Sequence, residues 1–508
     1  CSAFTDVRYL DVGRLANDFN GDGYADLIVG ANLQDNPARD EGMAYVYFGS
    51  ATGTGASPDI SLDNPLNQPV GHFGRSVTSA GDVNGDGFAD LVVSAPYQDN
   101  PEMNEGNAYL YFGSAAGPAI TPDITLDNPV DQPGGQFGHS LANAGDVNGD
   151  GYADLIVGTY VEGAAYLFLG SARGPAAAPD VTFDDPLDQL LGLFAYSVSS
   201  AQDVNGDGYA DLIIAGHWQD NPEDTEGTAY VYLGAATGPA PTPDITLDNP
   251  IDQKNGQFGR SVSAGDVNGD GYADLIVGAY YQDNIKSHEG TTYVFFGSAT
   301  GPATAPDIAL DNPLNQEDGQ FGRSVASAGD LNGDGYGDLI VGASGQDNPE
   351  SNEGTAYVYF GSPTGPLATP NVTFDNPLDQ ADRYFSNWVA GCGDVNGDGY
   401  DDLIVSAHYQ DNPEIKEGSA YLYFGSTTGP SPTPDIALDN PLDQAGGQFG
   451  YSVATAADVN DPNHGLCWLR SVADCIRSGN PSRRRLTGQD ASGERGYFLG
   501  VSASRRAA

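Results

Sequence analysis

The stretch Asp82-Val-Asn84-Gly-Asp86-Gly-Phe88-Ala-Asp90 places side-chain oxygens at its positions 1, 3, 5 and 9 and a main-chain carbonyl at position 7. Such a set suits Ca²⁺, which takes six to eight oxygen ligands at about 2.3–2.6 Å in a flexible cage. Mg²⁺ demands a stricter octahedron, and the stretch has no His or Cys for Zn²⁺. The pattern occurs seven times. Position 1 is Asp18, Asp82, Asp146, Asp203, Asp266, Asp330 and Asp394. Position 3 is Asn20, Asn84, Asn148, Asn205, Asn268, Asn332 and Asn396, and position 5 is Asp22, Asp86, Asp150, Asp207, Asp270, Asp334 and Asp398. The carbonyl of position 7 belongs to Tyr24, Phe88, Tyr152, Tyr209, Tyr272, Tyr336 and Tyr400. Position 9 is Asp26, Asp90, Asp154, Asp211, Asp274, Asp338 and Asp402. Asp, Asn and Gly also form plain turns. Three carboxylates held within a few Å, however, repel by about 4 kcal/mol per pair at an effective dielectric near 20, and a plain turn has no need of them. Seven bound Ca²⁺ ions are therefore expected, one per repeat. With ~1 mM calcium and a Kd near ~0.1 mM, each would stabilise the fold by about 1.4 kcal/mol.

The elements that must hold these loops recur with them. Successive loops are 64, 64, 57, 63, 64 and 64 residues apart, the signature of a tandem array. The unit from Gln320 reads as four strands: "FGRSVASAGD" leading into the loop, the apolar "DLIVGA", the alternating "TAYVYFGS" and the short "NVTF". No flanking helical period accompanies the loops, which separates them from EF-hands. Four strands repeated seven times predict an all-β, seven-bladed β-propeller over residues 1–460 with antiparallel blades; a linear solenoid usually has much shorter coils. The third unit is seven residues short after "DLIVG", a loss expected to fall in a loop. Residues 446–460 start an eighth unit that breaks off in mid-motif.

Residues 461–508 carry eight Arg and four acidic residues, a net of +4 that leaves −55 on residues 1–460. The abrupt change looks like a reading-frame shift, and a disordered basic tail is expected. The net charge of −51 argues against a nucleic-acid partner and suits cations or cationic partners. No apolar run reaches the ~18–20 residues of a membrane helix. Only Lys254, Lys286 and Lys416 supply lysine, and Cys1, Cys392, Cys467 and Cys475 show no disulfide spacing. The opening "CS" suits a lipid-anchored Cys1, although a fragment boundary is the plainer reading.

"FGRSVASAGDLNGDGYGDLIVGA" resembles the FG-GAP repeat of integrin alpha-subunit propellers and related bacterial surface proteins. Phe73-Gly74, Phe137-Gly138, Phe258-Gly259, Phe321-Gly322 and Phe449-Gly450 carry the "FG". The motif weakens at Phe194-Ala195 and Phe385-Ser386, repeat 1 lacks it, and "GAP" survives only as Ser94-Ala95-Pro96. The resemblance implies calcium loops on a lower face, ligand-facing loops on an upper face, and an extracellular or cell-surface adhesion or protein-interaction module. A glycan-binding propeller is the alternative, because Tyr97, Tyr160, Trp218, Tyr281 and Tyr409 recur in the upper loops. These rings either contact a protein or glycan ligand or merely pack their loops. A polysaccharide lyase stands third. An enzyme needs a non-repeated pocket with an acid or base, no such break in symmetry is evident, and none is expected. His72, His139, His217, His288, His408 and His464 are scattered. The single "NVT" at Asn371 is close to chance for a glycosylation site.

Overall fold

A computed structural model describes residues 18–189 and 191–454, together with the short strands Thr487–Gln489 and Arg495–Tyr497. Seven four-stranded sheets form, each antiparallel throughout, in the arrangement of a seven-bladed β-propeller. In the sixth blade the strands run Phe321–Gly329, Asp338–Ala343, Thr355–Tyr359 and Val372–Asp375, from the axis outward. They match the four segments read from the repeat. The second and third strands are buried along their whole length, as their continuous apolar character requires. The fourth strand alternates between buried and exposed residues, because its outer edge faces solvent.

The core lies between sheets rather than within one. Val267, Ile276, Val294 and Leu310 of the fifth blade pack against Leu339, Val341, Tyr357 and Tyr359 of the sixth, with Phe321 of the "FG" motif among them. Equivalent clusters fill the other interfaces. No blade could bury its own faces alone, which is why the repeat must close on itself.

Closure uses the segment that reads as a broken eighth unit. Ser452–Ala454 forms the innermost strand of the first blade, beside Leu27–Ala31, Met43–Tyr47 and Ile60–Asp63. Val453 pairs with Val29, and the Gly450 amide donates to the Gly30 carbonyl at 3.0 Å. Phe449 enters the core against Tyr45 and Tyr47. The eighth "FG" therefore serves the first blade, whose own sequence has none.

Near the axis, serines stitch neighbouring inner strands. Ser261 Oγ accepts the Val325 amide at 3.1 Å, Ser263 Oγ the Ser327 amide at 3.0 Å, and Ser324 Oγ the Val389 amide at 3.1 Å. These bonds satisfy a strand edge that would otherwise be unpaired. The shortened third unit loses only loop: Asp154–Gly158 and Ala164–Phe168 still pair in register. Cys392 is buried and free.

Residues 463–508 form a separate unit, in which Thr487–Gln489 pairs with Arg495–Tyr497. The rest of that tail and Cys1, with the expectations attached to them, lie outside the described residues. Among the described residues no helix is long and apolar enough to cross a membrane.

Candidate functional site: an acidic belt and an axial cluster

Each acidic loop leads into the second strand of a blade, in the second to seventh blades directly from the first strand, and turns at two glycines. In the first loop Gly21 and Gly23 take φ of 73° and 91°, a left-handed conformation that other residues rarely adopt. The side chains hold the turn. Asp18 Oδ1 and Oδ2 accept the amides of Gly21 and Gly23 at 2.5 and 2.7 Å, and Asn20 Oδ1 accepts that of Asp22 at 2.9 Å. The position-9 aspartates are all fully buried. Each accepts the amide of its own position 2 and that of the glycine after the third strand, at 2.8–3.0 Å in every blade.

Burial pushes these position-9 carboxyls up, to about 8 at Asp26, Asp90, Asp274, Asp338 and Asp402 and to about 7 at Asp154 and Asp211. The carboxylates at positions 1 and 5 push in the same direction. A cation beside them would reverse that shift, and the donor set is all oxygen, as a hard cation prefers.

The loops also grip one another. The position-8 amide of each donates to the position-1 carbonyl of the preceding loop at 2.8–3.2 Å, and the circuit closes from Ala25 to Asp394. The aromatic ring at position 7 lies on the position-4 glycine of the preceding loop. A Cβ on Gly149 would stand 2.7 Å from Tyr209, and one on Gly397 would stand 2.5 Å from Tyr24. The seven loops thus form one continuous belt on the lower face. Sequence spacing showed the loops but not this coupling, which exists only between blades.

The opposite face is built differently. There, buried Gln98 of "YQDNP" donates to Gln68 of the preceding fourth-to-first-strand loop at 2.7 Å, and Gln34 donates likewise to Gln444 at 2.6 Å. The motif's Gln therefore packs, while the ring before it sits at the rim. Trp218 is 40% exposed, and Tyr97, Tyr160, Tyr281 and Tyr409 are half-buried. Each rests on a neighbouring ring: Tyr97 on His72 at 4.5 Å, Tyr160 on His139 at 4.6 Å, Trp218 on His217 at 5.8 Å, Tyr281 on Tyr280 at 4.1 Å and Tyr409 on His408 at 4.2 Å. The fourth-to-first-strand loops add an aliphatic residue in every blade. Leu66, Val130, Leu187, Ile251, Leu314, Leu378 and Leu442 are 38–55% exposed. Sequence reasoning missed this ring, although "DNPL" signals it.

It also missed a break in symmetry. The residue after "FG" lies within two residues of the start of the inner strand, on the upper face, and in chain order it is Arg75, His139, Tyr196, Arg260, Arg323, Asn387 and Tyr451. Arg75 lies over Tyr451 at 4.7 Å and Arg260 over Tyr196 at 4.5 Å. Arg260 and Arg323 also flank Tyr280, at 5.7 and 5.5 Å. Burial alone would raise the Tyr196 hydroxyl, yet Arg260, Arg75 and Arg323 together hold it below its usual range. Burial and these arginines keep His139, His217 and His408 neutral, with His408 lowered to about 3. The upper mouth therefore contains a non-repeated, cationic, aromatic cluster, a break in symmetry where none was expected.

Among the described residues, carboxylates gather within 4.8 Å of one another at Glu105, Asp127 and Asp131 and at Glu353, Asp375 and Asp379, each set formed by the end of a fourth strand and the upper loops beside it. Burial and the nearby Asp127 push Glu105 up to about 7.

Residues 14–47, 73–111, 137–168, 194–232, 258–295, 321–359 and 385–423 each match the FG-GAP repeat, together just over half of the chain. The chain belongs to the FG-GAP repeat family. Integrin alpha-5 of Xenopus laevis is 33% identical over 235 residues, 45% of this chain and 21% of that protein. Integrin alpha-4 of Xenopus laevis is 34% identical over 161 residues, 31% of this chain and 15% of that protein. A phosphatidylinositol-glycan-specific phospholipase D of Bos taurus is 31% identical over 261 residues, 49% of this chain and 30% of that protein. The chain thus spans between 15% and 30% of the length of these curated relatives. A solved structure of a candidate 6-phosphogluconolactonase from Bacteroides uniformis shares the fold, with TM-score 0.51 and 10% identity over 84% of this chain and 98% of that one. Relatives that include both integrins and an enzyme show that an FG-GAP propeller does not by itself separate a binding module from a catalyst.

Proposed function

We propose that this FG-GAP propeller is an extracellular adhesion or protein-interaction module stabilised by about seven Ca²⁺ ions, one in each loop of the lower belt. One observation carries the adhesion reading: the upper face exposes an aliphatic residue in all seven blades beside half-buried aromatic rims. Exposed apolar groups framed by polar ones are the material of protein contacts. For calcium, the support is the all-oxygen donor set repeated seven times and the buried position-9 carboxylates, whose charge a cation would offset. Millimolar calcium outside cells suits sites of such composition.

The test is an adhesion assay on surfaces coated with the chain, with and without chelator. Binding of cells that is abolished by trypsin treatment of those cells supports a protein ligand. Glycan binding remains the second reading, favoured by the exposed ring of Trp218. Loss of adhesion only after enzymatic deglycosylation would establish it. Release of products absorbing near 235 nm from acidic polysaccharides would replace both readings with a lyase.

A further inference from the structure

The described residues contain few cations, yet three arginines meet at the mouth of the axis. Arg75, Arg260 and Arg323 come from the second, fifth and sixth blades and share the rings of Tyr196, Tyr280 and Tyr451. The described ion pairs are Arg39–Asp40, Lys254–Asp224, His288–Asp318 and Arg383–Asp411, and none involves these three. Their contacts are with uncharged groups. Arg323 donates to Gln320 Oε1 at 3.1 Å, Arg75 hydrogen-bonds the Tyr196 hydroxyl and lies 3.5 Å from His139 Nε2, and Arg323 Nε is buried without a partner. Around them, Trp388 Nε1 is another buried, unpartnered donor. Like charges held together at half-buried positions are costly unless an opposite charge joins them. In a chain with a net charge of −51, acidic side chains were abundant, but none of those described pairs here.

We infer that the axial mouth is a carboxylate-binding site, which receives an acidic side chain projecting from a protein partner between the guanidinium groups of Arg75, Arg260 and Arg323. Guanidinium forks match a carboxylate in a bidentate manner, which accounts for Arg rather than Lys at positions 75, 260 and 323. The identity of the carrier, a protein, rests on the adhesion reading; the anion site does not. Two features favour a slender acidic side chain over an acidic sugar. The ring faces at the mouth are already covered, Tyr451 by Arg75, Tyr196 by Arg260 and Tyr409 by Lys416 at 4.9 Å, so little flat surface is left for a sugar to stack on. The surrounding loops expose Asp99, Glu102, Asp220, Asp283 and Asp347, a rim that repels a polyanion. A basic partner surface with one acid at its centre complements both zones.

The experiment titrates the full chain, loaded with calcium at low ionic strength, with N-acetylaspartate amide, using its asparagine counterpart and glucuronate as comparators. Calorimetry should show saturable millimolar binding of the aspartyl probe, at least tenfold tighter than the asparagine one. Changing Arg75, Arg260 and Arg323 together to Gln should weaken it at least tenfold. Arg323→Lys, which keeps the charge and loses the fork, should weaken it several-fold and serves if the triple variant does not fold. No saturable binding, or equal binding by the variants, would overturn the site. Glucuronate binding without aspartyl binding would overturn the protein carrier in favour of an acidic sugar. In the adhesion assay, a triple variant that still adheres but no longer binds the probe would overturn the assignment of the partner's acid and leave adhesion standing. A wild-type chain that binds the probe but adheres to nothing would overturn the adhesion reading and its carrier, with the site intact.

Discussion

The two ends of the propeller are made from the same seven repeats and obey opposite rules. On the lower face every loop keeps Asp, Asn and Asp at the same places, and each loop bonds to the next in a closed belt. On the upper face the residue after "FG" differs from blade to blade, as Arg, His, Tyr, Asn or again Arg. The lower positions face identical neighbours, so one solution serves seven times. The upper positions converge on one axis, where seven identical side chains would crowd or repel one another. Stability is thus spread evenly over one face, and specificity is concentrated at the other.

The largest effect that would break this contrast is loss of the belt. Chelation should lower the melting temperature strongly, since seven independent sites at about 1.4 kcal/mol each sum to roughly 10 kcal/mol, comparable to the stability of a whole domain. Ca²⁺ should restore it better than Mg²⁺. A melting curve unchanged in excess chelator removes calcium from the account.

The next effect is one of pH. In chelator the folded chain keeps protons on its position-9 aspartates up to about pH 7–8, whereas the unfolded chain releases them near pH 4. The folded state then binds more protons between those values, so stability should fall as pH rises from 4 to 8. With calcium present the cation displaces these protons, and its stabilising effect should grow over the same range. Melting temperatures at pH 5 and 8, with and without calcium, check both signs.

Single-loop changes are smaller. Asp150→Ala should cost about 1–2 kcal/mol, the worth of one site, and leave upper-face binding intact. Gly149→Ala, which forces a Cβ to 2.7 Å from Tyr209 at a φ of 73°, should cost about 1–3 kcal/mol by straining the grip between loops. Denaturant unfolding measures both.

The smallest stability change belongs to the upper rim. Trp218→Ala should cost under about 1 kcal/mol, and Tyr97, Tyr281 and Tyr409 to Ala somewhat more, since those rings are half-buried. Adhesion should nonetheless drop sharply in the combined variant. If that variant unfolds instead, the rim rings belong to the core and the contrast between the faces weakens.

Much of this was legible in one dimension. The seven loops, the four strands of "FGRSVASAGD", "DLIVGA", "TAYVYFGS" and "NVTF", and the blade number follow from a local period and local turn chemistry, which need no knowledge of neighbours in space. The harmless shortening of the third unit was legible for the same reason. What stayed hidden depends on residues far apart in sequence. Phe449–Ala454 reads as a broken repeat until closure of the ring sets Val453 opposite Val29. Tyr24 and its equivalents read as carbonyl donors until each ring is found on the preceding loop's glycine. Arg75, Arg260 and Arg323 read as ordinary members of three repeats, because nothing in a repeat says that the residue after its "FG" meets its counterparts from other blades. Sequence determined the unit and its chemistry, since both are set by contacts within some sixty residues. Tertiary structure alone decided which unlike residues share the mouth, because only a closed ring brings the same position of every blade to one point.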